Sequence, residues 1–397
     1  MRHLRRRHSF ALIALLAPAI GCAKGNSGSP GTGGSSQGGT GMVGGGGTGG
    51  GADDPFAGLP ASKALHVEGN AMKDASGTAV RLLGVNRAGT EYMCATATSS
   101  ATFDGSTGPN SISALLTWNI NAVRLPLNES CWLGINGAHV TGDEYQAAII
   151  DYAVRLHQKG LYVVLDLHWS APGTTLATKQ STMAYASHAI DFWTSVATTF
   201  KNDPMVLFDL FNEPILDASD GTNGPVGDAN AAWNCWLNGC SVGSGMLVGM
   251  QAMLNAVRAT GATQIVVAGG IDWAHRMDQW LQHKPTDSTG NLIAGFHLYD
   301  QSRSSCYDMN CWNNMGLATV ASNVPVLTGE LGETDCAHGV IDSFMNWADP
   351  KGISYLGWAW NPQSCGSFPA LITNVDGTPT AFGQGLKDHL ATMPALH

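Results

Sequence analysis

Two glutamates, Glu213 and Glu330, stand at the ends of similar apolar runs. Glu213 follows Val206-Leu207-Phe208-Asp209-Leu210-Phe211 and Asn212, and Glu330 follows Pro325-Val326-Leu327-Thr328-Gly329. Two carboxyls at the ends of different buried strands supply what hydrolysis of a glycosidic bond needs. One stays protonated to serve the leaving oxygen, and the other is ionised to attack the anomeric carbon, with the pair ~5–5.5 Å apart when configuration is retained. Other polar residues interrupt or close apolar runs in the same way: Arg124 in Val123-Arg124-Leu125-Pro126, His168 after Val163-Val164-Leu165-Asp166-Leu167, His297 and Tyr299 after Ile293-Ala294-Gly295-Phe296, and Trp358 after Ile353-Ser354-Tyr355-Leu356-Gly357. Asn212 is placed to bond a sugar 2-hydroxyl, and Tyr299 and Arg124 to hold Glu330 ionised. Trp358 is the expected sugar platform, preferred by spacing over Trp360 of the same parity. Trp169, Trp273 and Trp132 lie just past strand ends as further platforms, with Trp169 and Trp273 favoured. Glu91, Asn128 and Glu129 would bind sugar hydroxyls or only cap loops, and Glu333 reads as a loop residue.

These residues need a frame that brings many strand ends together. Runs rich in Val, Ile and Leu on both parities, as in strands buried on both faces, occur at 80–86, 120–127, 161–168, 205–211, 263–269, 292–298, 324–330 and 352–359. Amphipathic stretches fall between them at 143–159, 186–201, 244–260, 337–347 and 380–391. Eight β-then-α units predict an α/β fold, a closed (β/α)8 TIM barrel whose site lies at the C-terminal strand ends. A short N-terminal β-hairpin is expected to lead in, Leu65-His66-Val67 and residues 79–84 flanking the turn Asp74-Ala75-Ser76-Gly77. A doubly wound open sheet is the rival, but it needs fewer strands and a ligand loop not found here.

The chain of 397 residues carries a formal charge of −10, and four arginines among the first 22 residues leave the rest more acidic still. Nucleic acid and anionic membrane surfaces are therefore poor partners, and a neutral polysaccharide or oligosaccharide is a good one. Twelve tryptophans fit sugar stacking, although most are expected in the core. Residues 1–22 read as an export signal, a basic start followed by the apolar Phe10–Ile20. Ala19-Ile20-Gly21-Cys22 resembles a lipoprotein signal, which makes lipidation of Cys22 the one expected membrane attachment. Ordinary cleavage nearby is the alternative. Residues 23–58, nearly all Gly, Ser, Thr, Pro and Ala, read as a disordered tether, leaving 59–397 as the folded domain. The location is then outside the cell, anchored at the outer membrane or cell surface, or secreted. Eight further cysteines suit an exported chain. Cys235–Cys240 and Cys306–Cys311 would staple small loops, and Cys94–Cys131 and Cys336–Cys365 would join neighbouring strand-end loops, among about 105 possible pairings. No CxxC or HExxH occurs, so neither a metal nor a cofactor is expected, and the chain is expected to act as a monomer.

Asn212-Glu213-Pro214 after one strand, followed by Glu330-Leu331-Gly332, resembles glycoside hydrolase family 5, the cellulase family. The likeness spans roughly residues 62–392 and includes Gly84-Val85-Asn86. It implies a barrel with catalytic glutamates on strands four and seven, Glu213 as acid/base and Glu330 as nucleophile. Arg124, His168, Asn212, His297, Tyr299 and Trp358 fill the family's remaining active-site positions. Leu331 departs from the aromatic residue more often found after the nucleophile. The activity this implies is retaining hydrolysis of β-1,4-glucan. β-Mannanase, xyloglucanase and exo-acting β-glucosidase are alternatives on the same fold, and a non-catalytic glycan-binding lipoprotein is a remote one.

Overall fold

The computed structural model describes residues 54–96, 101–218, 224–300, 307–366 and 368–396. The export signal, Cys22 and most of the tether lie outside these residues. Eight parallel strands close into a barrel in chain order. They are strand one (Leu83–Asn86), two (Ala122–Asn128), three (Tyr162–Trp169), four (Val206–Asp209), five (Val266–Gly269), six (Leu292–Tyr299), seven (Val326–Gly332) and eight (Ser354–Gly357). Helices separate them, as the alternation predicts. Gly142–His157 is typical, started by a capping box in which Thr141 and Glu144 satisfy each other's backbone N–H groups.

The lead-in is larger than a hairpin. His66–Glu68 pairs with Ala71–Lys73, and that strand pairs in turn with Ala79–Val80, giving a three-stranded antiparallel meander. Met72 from the meander packs with Leu82, Tyr162, Val164, Leu207, Val267, Ile293 and Leu327, so the meander closes the lower, N-terminal end of the barrel. The predicted helix over 244–260 begins late. Residues Cys240–Val242 and Gly245–Leu247 form a hairpin, and the helix runs Met250–Ala259. The packed domain also starts earlier than composition predicts. Phe56, 3% exposed, lies 5.1 Å from the ring of Phe200, and Asn202 donates to Asp54.

Inside the barrel, side chains of one parity point inward, so every second residue climbs one layer. The lower layers are the apolar set around Met72. Above Ala122 comes Arg124, above Val164 come Asp166 and His168, and above Leu207 comes Asp209. The interior thus changes from apolar to charged toward the C-terminal mouth.

Among the described residues, Cys94–Cys131 joins the loops after strands one and two, Cys336–Cys365 those after seven and eight, and Cys235–Cys240 ties a helix end to the first strand of the hairpin. The fourth expected pair includes Cys306, which lies outside the described residues. Among the described residues no helix is long and apolar enough to cross a membrane.

Candidate active site

Arg124 is the centre of the charged layer and has no exposed surface. Its three nitrogens meet three different carboxylates: Nη2 lies 3.0 Å from Asp166, Nε 3.0 Å from Asp209, and Nη1 2.9 Å from Glu330. It also donates to the amide oxygens of Asn86 and Asn212. One cation thus serves three buried acids, so their charges cannot all be compensated. Burial outweighs the attraction of Arg124 and raises Asp166 to about 7 and Asp209 to about 8.

Glu330 reaches this layer through an irregularity. Strand six pairs with strand seven in register up to Phe296 and Thr328, after which His297 faces Glu330 and Gly329 is the extra residue. Such a bulge re-aims the side chains beside it. A Cβ at Gly329 would sit 3.0 Å from His297 Nε2, so any larger residue in the bulge would press on that ring. The Glu330 carboxylate takes Arg124 on Oε1 and the Tyr299 hydroxyl, at 2.5 Å, on Oε2. Burial and the neighbouring Glu330 charge raise the Tyr299 phenol well above its ordinary value, so it stays a donor.

Regular strand four ends at Asp209, but Leu210 and Asn212 continue its alignment through bonds to Val267 and Leu167. Glu213 follows, its Oε1 3.0 Å from His297 Nδ1. That nitrogen lies 3.6 Å from Glu330 Oε2, and one donor atom of each of the three residues lies within 4.8 Å of the others. Burial first, then the Glu330 charge, raises the Glu213 carboxyl well above the carboxylate range. Burial and Arg124 lower His297 well below the imidazole range, so it is neutral. The trio is close enough to hold a cation, but both Glu330 oxygens already accept hydrogen bonds. The arrangement suits proton transfer from Glu213 and nucleophilic attack by Glu330.

The other predicted residues surround this pair. His168 bonds Asp166 through Nδ1 at 2.6 Å and stacks on Trp358 at 5.4 Å between ring centroids. Burial lowers its pKa to about 3. Trp358 faces the mouth beside Tyr299 and Phe368, whereas Trp360 is buried edge-on against Trp118. Trp169 and Trp273 are half-buried at the ends of strands three and five, and the Trp273 backbone N–H bonds Pro214, next to Glu213. Trp132 is not a platform: it is fully buried and its indole bonds Ser195. Asn128 and Glu129 act as loop ties. Asn128 caps Glu129–Leu133, and Glu129 accepts from Ser170 and the Ala171 backbone. Glu91 accepts from the backbone N–H of Gly89, and Glu333 from that of Ile341.

Four residues of the network were not singled out from the sequence. Asp166 and Asp209 lie two and four residues before predicted site residues, and that even spacing was the available signal. Asn86 donates to the Gly329 carbonyl and accepts from Arg124, which joins strands one, two and seven. Gln180 accepts from Asn212 and donates to the Glu213 carbonyl from a long loop with no periodicity to reveal it.

The family model "Cellulase (glycosyl hydrolase family 5)" matches residues 74–364. Endoglucanase C of Evansella cellulosilytica is 24% identical over 344 residues, 79% of this chain and 38% of that one. A mannan endo-1,4-beta-mannosidase of Cellvibrio japonicus is 23% identical over 336 residues, 82% of this chain and 66% of that one. The chain therefore spans less than two thirds of these relatives' own lengths. Among solved structures, a beta-glucanase from Saccharophagus degradans in complex with cellotetraose aligns with a TM-score of 0.60 at 21% identity, covering 84% of this chain and 96% of that one.

Proposed function

The chain belongs to glycosyl hydrolase family 5, the cellulase family, and from that premise we propose that it is a retaining endo-β-1,4-glucanase with Glu213 as acid/base and Glu330 as nucleophile. The observation that carries this reading is the spacing of the two carboxyls. One oxygen of each lies within 4.8 Å of the other, which fits the ~5–5.5 Å carboxyl spacing of a double displacement better than the ~6.5–9.5 Å that leaves room for the water of inversion. In the first step a Glu330 oxygen bonds to the anomeric carbon while the glycosidic bond breaks and the leaving oxygen takes the Glu213 proton. In the second, Glu213 takes a proton from water, which displaces Glu330 and restores the β configuration. Burial beside Glu330 supports Glu213 in the first role, and Arg124 with Tyr299 supports Glu330 as the anion.

Trp358 is the platform for the sugar under attack, Asn212 bonds its 2-hydroxyl, and His168 and His297 line the same space. Trp169 and Trp273 extend the cleft to either side, Trp273 on the leaving-group side because it abuts Pro214. A glucan is preferred because endoglucanases recur among the relatives. Mannan is the second reading, carried by the mannosidase relative. Reducing-sugar release from β-glucan, mannan, xyloglucan and xylan decides between them. Release from none, with binding retained, would leave a glycan-binding protein. A 2-fluoro-cellobiosyl inhibitor should label Glu330, and labelling of Glu213 would reverse the roles. The reading extends to location: residues 1–22 direct export and Cys22 carries lipid, so Cys22→Ala should move the protein from membrane to soluble fraction.

A further inference from the structure

The guanidinium of Arg124 is fully enclosed and divided among Asp166, Asp209 and Glu330 at nearly equal distances. Glu330 alone of the three is consumed in the reaction. When it attacks, one of its oxygens bonds to the anomeric carbon, the electron pair of the broken bond goes to the leaving oxygen, and the carboxylate becomes a neutral ester. An arginine with Glu330 as its sole partner would then be a buried, uncompensated cation, a costly state. Here Asp166 and Asp209 remain on it, and loss of the Glu330 charge favours the ionised form of Asp209.

The same geometry acts before the reaction. Asp166 and Asp209 occupy Nη2 and Nε, so Glu330 shares the guanidinium with two further acids. Around Glu330, His168, His297 and Tyr299 contribute no positive charge while neutral, and burial raises the carboxyls of Glu213 and Glu91. The anion of Glu330 is therefore held in place by two hydrogen bonds but incompletely neutralised, and esterification relieves the crowding.

We propose that Asp166 and Asp209 are positioning residues of the displacement: they compete with Glu330 for Arg124, which favours its attack, and they keep Arg124 compensated while Glu330 is an ester. The inference rests on Glu330 being the nucleophile, but its main test needs no substrate. Glu330→Gln makes the side chain neutral, as the ester is. In the full chain, Asp209→Asn should fold and cost little while Glu330 is ionised, because it relieves crowding. In the Glu330→Gln background the same change has no Glu330 charge left to relieve and removes one of the two acids remaining on Arg124. The unfolding equilibrium constant of the double variant should then exceed the product of the single effects by about tenfold or more, the coupling expected of neighbouring charges. Asp166→Asn should show the same sign, with a smaller contrast because it also releases His168 Nδ1.

Additive effects would overturn the proposal. So would failure of Asp209→Asn to fold with Glu330 intact, since that would make Asp209 indispensable to the resting cluster. A kinetic arm separates this role from mere support of the fold. Asp209→Asn should slow trapping by the 2-fluoro-cellobiosyl inhibitor about tenfold or more while leaving its initial binding constant within about twofold. Equal loss in both would overturn the proposal. Absence of trapping in the wild type would count against the proposed function, and the stability cycle would still stand or fall by itself.

Discussion

Two arginines in this chain, Arg124 fully buried and Arg258 partly so, have opposite surroundings. Arg258, at the lower rim, meets a single acid: Nε and Nη2 each lie 2.8 Å from one oxygen of Asp287, and Nη1 donates to the carbonyls of Ala262 and Gln264. Burial alone would raise Asp287, but the bonds from Arg258 and Thr289 outweigh it and hold the carboxyl below its ordinary value. Charge and hydrogen bonds both close, and the result is a clamp between the segments before strands five and six. Arg124 meets three acids, and burial drives two of them up. The lesson is one of stoichiometry. A one-to-one pair satisfies itself and fixes the backbone, whereas an excess of acid over cation stores protons and anions that a reaction can use.

Perturbing the crowded layer should change rates, and perturbing the matched pair should change melting alone. The largest effect is expected at Glu330. Glu330→Gln should lower turnover of any substrate by at least about 10⁴-fold with circular dichroism unchanged, and a residual rate within about tenfold of wild type would remove Glu330 as nucleophile. Glu213→Ala should cost about 10²–10⁴-fold on a polysaccharide, whose leaving group needs a proton. An aryl glycoside with a good leaving group should be spared in its first step, and azide should restore its turnover with the β product; no rescue would count against the acid/base role.

The next effect is one of titration. Burial first and the Glu330 charge second raise Glu213, so neutralising that charge in Glu330→Gln should bring the Glu213 carboxyl down. Carbon-13 titration of the labelled carboxyls reads this directly, and an upward or absent shift would separate the two groups. A smaller effect is expected at Glu129, which burial raises to about 7. Its folded pKa lies above the unfolded one, so its contribution to stability is fully present below pH ~4.5 and lost as pH rises through 7, by at most about 3 kcal/mol. Glu129→Gln should flatten denaturant-measured stability over that window; an unchanged slope would assign the pH dependence elsewhere. The smallest effect should come from Arg258→Lys, which gives up the two-pronged bond. It should lower Tm by about 2 °C and leave kcat within about twofold. A matching loss of rate would break the contrast between the two arginines.

The barrel was legible because its strands are apolar on both parities, and the proposed catalytic pair because each glutamate ends such a run. Asp166 and Asp209 were visible in the same runs. They escaped because a strand-internal acid reads locally as an interruption, and only closure of the barrel shows that Arg124 lies between them. Trp358 and Trp360 share a parity, and what separates them is Trp118 from another element, a contact no spacing encodes. The hairpin before Met250 was hidden by apolar residues that suit helix and strand alike. Phe56 was hidden by its neighbours, whose composition outvoted one aromatic residue.

Phe56 also has a mechanical meaning. Its ring rests on Phe200, and Asp54 holds Asn202, at the end of the helix that leads down to strand four. A pull on the backbone before Asp54 is therefore taken up at the lower rim. The two glutamates sit at the opposite ends of the strands, off that line of force. Tension along the N-terminal segment would load a greasy hinge of two phenyl rings and one amide, and would leave the spacing of Glu213 and Glu330 unstretched.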